Sequence, residues 1–257
     1  MKSLSRSLLV ILVSLPGVVL AGNRSDSTDS VPVLKPIHKN VIKFNPTPML
    51  IWGEMRNITL SYERVLSPKM SFSFQAGYLV FPKIIGDTIA HLIALSNRQK
   101  FGVNLSADYR FYPLTRNRRP VPDGLYIGPY LSYYGNRFSN DFDILNTTVD
   151  QYGHYKCNIS IVNLGFELGY QFIFWKRLSL DLLLFGPSVT YYSANIKVSG
   201  DLDKEEIENI NDEVVEKILN RFPALGTLFS EGELSKSGFR SKFGTGFRYS
   251  IQIGFHF

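Results

Sequence analysis

Apolar and polar residues alternate along most of this chain. In residues 243–257, Phe243, Thr245, Phe247, Tyr249, Ile251, Ile253, Phe255 and Phe257 take one phase. Gly244, Gly246, Arg248, Ser250, Gln252, Gly254 and His256 take the other. A period of two is the mark of a strand with two unlike faces. The same alternation predicts strands over 69–80, 99–112 and 158–174, and more weakly over 41–52, 56–65, 124–137 and 178–192, eight in all. In 178–192 the phase slips near Gly186-Pro187, as a β-bulge would make it.

Alternation alone also suits a soluble sandwich or barrel. Here, however, one face is large and aromatic, while the other holds Gly, Ser, Asn and charged residues. A water-soluble barrel would turn the small polar residues outward. Strands of about 9–11 residues or more match a tilted bilayer crossing. The expected fold is therefore all-β: a transmembrane, antiparallel, up-and-down barrel of eight strands over residues 40–257. Connections near 66–68, 113–124 and 176–177 alternate with connections at 53–55, 82–98, 138–156 and 193–241. The second set contains the long loops 82–98, 138–156 and 193–241, and outer-membrane barrels carry their long loops outside the cell. Both termini are then expected on the periplasmic side.

The N-terminus reads as a targeting segment. Lys2 and Arg6 precede the apolar run Leu8–Leu15, and Val19-Leu20-Ala21 supplies a small residue before Gly22. This is the layout of a secretory signal peptide over residues 1–21. The apolar run is short for a spanning helix, which needs about 20 residues. Residues 22–39, rich in Ser, Asp, Pro and Lys, are expected to be a disordered lead-in.

Composition agrees with a β-protein: 19 Phe, 14 Tyr and 20 Gly in 257 residues. One cysteine, Cys157, rules out an intrachain disulfide. The net charge of +6 does not point to nucleic acid, because no Lys/Arg run interleaved with stacking aromatics forms a binding stripe. The one compact basic cluster, Arg116, Arg118 and Arg119, falls in a connection.

The stretches FNPTPM (44–49), ITLSYERVL (58–66), FSFQAGYLVFP (72–82) and YRFYPL…PDGLYIGPYLSYY (109–134) resemble the small outer-membrane barrel proteins common in Bacteroidetes. In plan the chain is similar to the eight-stranded OmpA/OmpX barrels, with no peptidoglycan-binding domain expected after the last strand. Phe257, an aromatic ending an alternating strand, resembles the insertion signal of such barrels. The resemblance implies an integral location in the Gram-negative outer membrane. The partners it implies are outer-membrane lipid, lipopolysaccharide and the barrel-insertion machinery. It concerns architecture and carries no chemistry.

An eight-stranded barrel is filled by its own side chains. The inward phase carries Lys43, Glu63, Asp108, Arg110, Glu167, Asp181 and Arg248, and charges of both signs in a narrow lumen must pair. A polar plug is expected there, with an ion path as the alternative. His91 and His154 fall in predicted extracellular connections, and no local serine or carboxylate motif frames either; His256 points inward. No metal cluster, phosphate loop or G-x-S-x-G is present, so neither cofactor, metal nor catalytic residue is expected.

Two loop segments depart from the polar character of loops. Ile207, Ile210, Val214 and Ile218 recur at helical spacing, with Glu205 and Glu206 at the start and Lys217 and Arg221 at the end of a helix over about 203–220. Phe222 and Phe229 follow in an apolar run. Residues 84–95 are also apolar and are expected to contain a short helix. These form either a cap over the barrel mouth or a docking surface, for another outer-membrane or periplasmic protein or for the glycolipid leaflet. The function expected from sequence is structural or partner-binding. A narrow pore or transporter is the first alternative and a lipid-modifying enzyme the second.

Overall fold

The structure is a computed structural model describing residues 38–52, 55–80, 88–89, 93–115, 120–144, 152–200 and 238–257. Its elements are β1 (Asn40–Phe44), α1 (Thr47–Trp52), β2 (Thr59–Ser67), β3 (Met70–Tyr78), β4 (Thr88–Ile89), β5 (Ile93–Thr115), β6 (Gly124–Ile144), β7 (Tyr152–Phe174), β8 (Leu178–Gly200) and β9 (Gly238–His256).

Every pairing is antiparallel. Taken in order they run β1, β2, β3, β5, β6, β7, β8, β9 and back to β1, a closed ring of eight strands. At the base of the ring the first and last strands exchange backbone hydrogen bonds. Asn40 N donates to Phe257 O at 3.2 Å, and Phe257 N to Asn40 O at 2.9 Å. The ninth strand, the two-residue β4, pairs on β5 beside the ring.

β1 is shorter than the alternation over 41–52 suggests. Pro46 and Pro48 cannot donate to a ladder. The chain turns into α1 instead, where Thr47 N donates to Asn45 Oδ1 at 3.1 Å and Leu50 N to Pro46 O at 3.1 Å. Thr47 Oγ1 then replaces a strand partner, accepting from Ile251 N at 2.8 Å on β9.

β5 to β9 are longer than expected. Residues 93–98, 138–144, 152–156, 193–200 and 238–241, assigned above to connections, are strand. The reason lies on the outward side near the rim, which turns polar and so erases the alternation. Gln99, Ser139, Lys156 and Lys197 are register partners in succession across β5, β6, β7 and β8. They form a polar row beyond the last apolar outward positions. A 23-residue strand is about 75 Å along its path, far more than a tilted crossing of a ~25 Å apolar band requires.

Within 84–95, the described residues 88–89 and 93–95 are strand, with Thr88 opposite Ala94 and Ile89 opposite Ile93. The remaining residues of that segment, where the short helix is expected, lie outside the described residues. The signal peptide (1–21) and all but the last two residues of the lead-in lie outside the described residues. So do His91, the 203–220 helix with Ile207, Ile210, Val214 and Ile218, and Phe222 and Phe229.

Below the polar row the ring is inverted relative to a soluble protein. Phe72, Phe101, Leu131, Phe166, Phe247 and Phe255 are exposed on the outside. Lys43, Glu63, Arg110, Gln171, Asp181 and Gln252 are buried inside.

Candidate functional site

The seven inward charged residues read from the sequence meet in one cluster near the middle of the ring. Lys43 on β1 lies 2.5 Å from Glu63 on β2 and 2.5 Å from Asp181 on β8, and donates to Gln171 Oε1 on β7 at 3.0 Å. Arg110 on β5 contacts Asp181 at 2.6 Å, Glu167 at 3.2 Å and Asp108 at 3.4 Å. Arg248 on β9 contacts Asp108 at 2.7 Å and Glu167 at 3.5 Å, and donates to Ser106 Oγ at 3.2 Å. Three cations thus face four carboxyl groups in a space closed to solvent, where each ion needs several partners to offset its lost hydration.

Tyrosines complete the cluster. Tyr126 donates to Asp181 Oδ1 at 2.7 Å while its ring carries the Arg110 guanidinium 4.3 Å from the centroid. Tyr112 donates to Glu63 Oε1 at 2.9 Å, and Ser71 donates to the same oxygen. The Arg248 guanidinium lies 5.0 Å from the Tyr130 ring centroid. These stacks use the flat, weakly hydrated guanidinium in a way lysine could not. Gly169 makes room for Tyr126, since a Cβ there would stand 2.3 Å from the ring.

Toward the rim the ring holds a cavity of about 410 Å³, lined by Asn104, Asn163, Tyr134, Tyr192, Tyr130 and Arg248 among others. Arg248 and Tyr130 belong to the ion cluster, so the cluster is the floor of this vestibule.

His256 is buried and inward at the base. His154 does not stand alone, as the sequence motifs suggest it should. Its Nδ1 lies 2.6 Å from Asp141 Oδ1 and its Nε2 3.2 Å from Ser139 Oγ. No local spacing could show this, because the partners come from the neighbouring strand of a hairpin. Among the described residues no group of His, Cys, Asp and Glu could hold a metal ion.

No family model matches the sequence, and no curated protein matches it. Solved structures with some likeness include a major outer membrane protein from Thermus thermophilus. It is 12% identical, covers 86% of this chain and 100% of its own, and has a TM-score of 0.35. Acinetobacter baumannii CarO2 is 7% identical, covers 86% of this chain and 97% of its own, with a TM-score of 0.35. Acinetobacter baumannii CarO is 10% identical, covers 85% and 97%, with a TM-score of 0.36.

Proposed function

We propose that this chain is an integral outer-membrane barrel whose lumen is a structural plug. Its role is structural or partner-binding, exercised at the extracellular rim. Support for a membrane location comes from the inverted ring, since exposed aromatic bands of this extent on a closed wall need lipid around them. The base, with its tight turns at Ser67–Met70 and 175–177, is assigned to the periplasm. The rim, where β5 to β9 extend past the apolar band, is assigned to the outside. The sequence motifs support a relation to the small Bacteroidetes-type barrels of OmpA/OmpX plan. Lipid, lipopolysaccharide, the insertion machinery and a further envelope protein are the partners this reading implies.

The single observation that carries the plug is the Arg248–Asp108 contact of 2.7 Å, which joins strands on opposite sides of the ring. The pair spans the lumen, and the buried Lys43, Glu63, Arg110 and Asp181 fill the same level beside it, which supports a closed plug. The test is single-channel recording of the purified, detergent-folded protein in planar bilayers. No defined conductance steps are expected. Regular open-channel steps would overturn the plug in favour of a pore.

A further inference from the structure

Ser139 and Asp141 are two residues apart on β6, so their side chains share the outward face. His154 on β7 is the register partner of Asp141, and Lys156 that of Ser139. The His154 ring therefore sits between a carboxylate 2.6 Å from Nδ1 and a hydroxyl 3.2 Å from Nε2. Carboxylate, imidazole and hydroxyl in this order, on two different ring nitrogens, meet the geometric requirement for activating an alcohol. The carboxylate holds the proton on Nδ1, and the Nε2 lone pair is left to take the serine proton. A plain cross-strand Asp–His pair on a surface is a weak contact and needs only two of these groups. The hydroxyl on the second nitrogen is the element such a pair leaves unexplained.

Ser139 lies on the polar rim. On its own strand it is three outward steps, about 20 Å, beyond Tyr133, the last large apolar residue of that face, and Gly135 and Arg137 lie between, paired with Ser160 and Asn158 on β7. Lys156 is opposite Ser139, Lys197 is opposite Lys156, and Arg137 precedes Ser139 on the same face. The hydroxyl is therefore set among cations on a polar wall outside the apolar band, where a soluble ester can reach it.

We propose that Ser139, His154 and Asp141 form an acyl-hydrolase site acting on carboxylic esters that reach the polar rim. Ser139 Oγ attacks the ester carbonyl carbon as His154 Nε2 takes its proton. The carbonyl oxygen becomes an oxyanion beside the Lys156 charge. Collapse breaks the carbon–oxygen bond to the alcohol, and the departing alkoxide takes the proton from Nε2. Water then adds to the acyl-serine, giving its proton to Nε2. Collapse of this second oxyanion releases the fatty acid and returns the proton to Ser139. Asp141 keeps the ring in the productive tautomer throughout.

The test uses the full, detergent-folded protein. A fluorophosphonate probe is expected to label Ser139, and p-nitrophenyl butyrate to be hydrolysed. Ser139→Ala and His154→Gln should lower turnover on the order of 10³-fold or more, and Asp141→Asn by a comparable factor. These side chains are partly exposed (44% for His154 and 45% for Asp141), so heat-modifiable migration in the variants should match wild type. Absent labelling, labelling of another serine, or wild-type turnover in Ser139→Ala would overturn the site.

Discussion

Arg248 on β9 holds Asp108 on β5 at 2.7 Å across the full width of the eight-stranded ring. Arg110 is the only other cation touching Asp108 among the described ion pairs, and at the longer distance of 3.4 Å. Removing Arg248 leaves two cations for four carboxyl groups, whereas removing Asp108 brings the count to three and three. Arg248→Gln is therefore expected to cost about 3–5 kcal/mol, the range for stranding buried charge, and Asp108→Asn distinctly less. Urea unfolding of the detergent-folded protein measures both. Equal costs would show that the imbalance of carboxyl groups does not govern the plug.

The β7–β8 turn is built from residues poorly suited to it. Trp175 and Lys176 both have positive φ, at 48° and 65°, and Arg177 N donates to Phe174 O at 3.1 Å. A two-residue turn of this hand is normally Asn-Gly, because a Cβ disfavours the left-handed region by about 1–2 kcal/mol. Trp175 is 84% exposed just past the apolar band, where indoles favour the membrane interface. Lys176→Gly alone should raise the unfolding midpoint in detergent, by a stability gain of about 1 kcal/mol. An unchanged or lowered midpoint would mean that the turn is not strained.

The strands of the apolar band are legible in the sequence because an apolar outer face and a polar lumen impose a strict alternation. That parity also identifies the seven charged residues of the cluster. Their pairings are not legible, since Arg248 and Asp108 are 140 residues apart and meet only through register and ring closure. The rim strands are hidden because Ser139, Lys156 and Lys197 occupy their outer side, which removes the apolar phase. For the same reason His154 looks like an isolated loop histidine, although it lies opposite Asp141 on the neighbouring strand. α1 is hidden because Ile42, Phe44, Leu50 and Trp52 keep one phase of a period of two, while Pro46 and Pro48 give the one available warning.

The change of outward polarity along β7 and β8 also sets where each residue should sit relative to the membrane, which cysteine labelling can test. Native Cys157 is buried on the inward face, and Cys157→Ser supplies a background free of thiols. Lys197 lies in the polar row beyond the apolar band, Phe166 within the band, and Arg177 in the turn at the base. A membrane-impermeant maleimide applied to intact cells should modify Lys197→Cys and leave Phe166→Cys and Arg177→Cys untouched. Permeabilising the outer membrane should expose Arg177→Cys, while Phe166→Cys stays shielded by lipid, which excludes the charged reagent and stabilises no thiolate. Labelling of Arg177→Cys but not Lys197→Cys on intact cells would invert the orientation. It would also move the Ser139–His154–Asp141 set to the periplasmic leaflet.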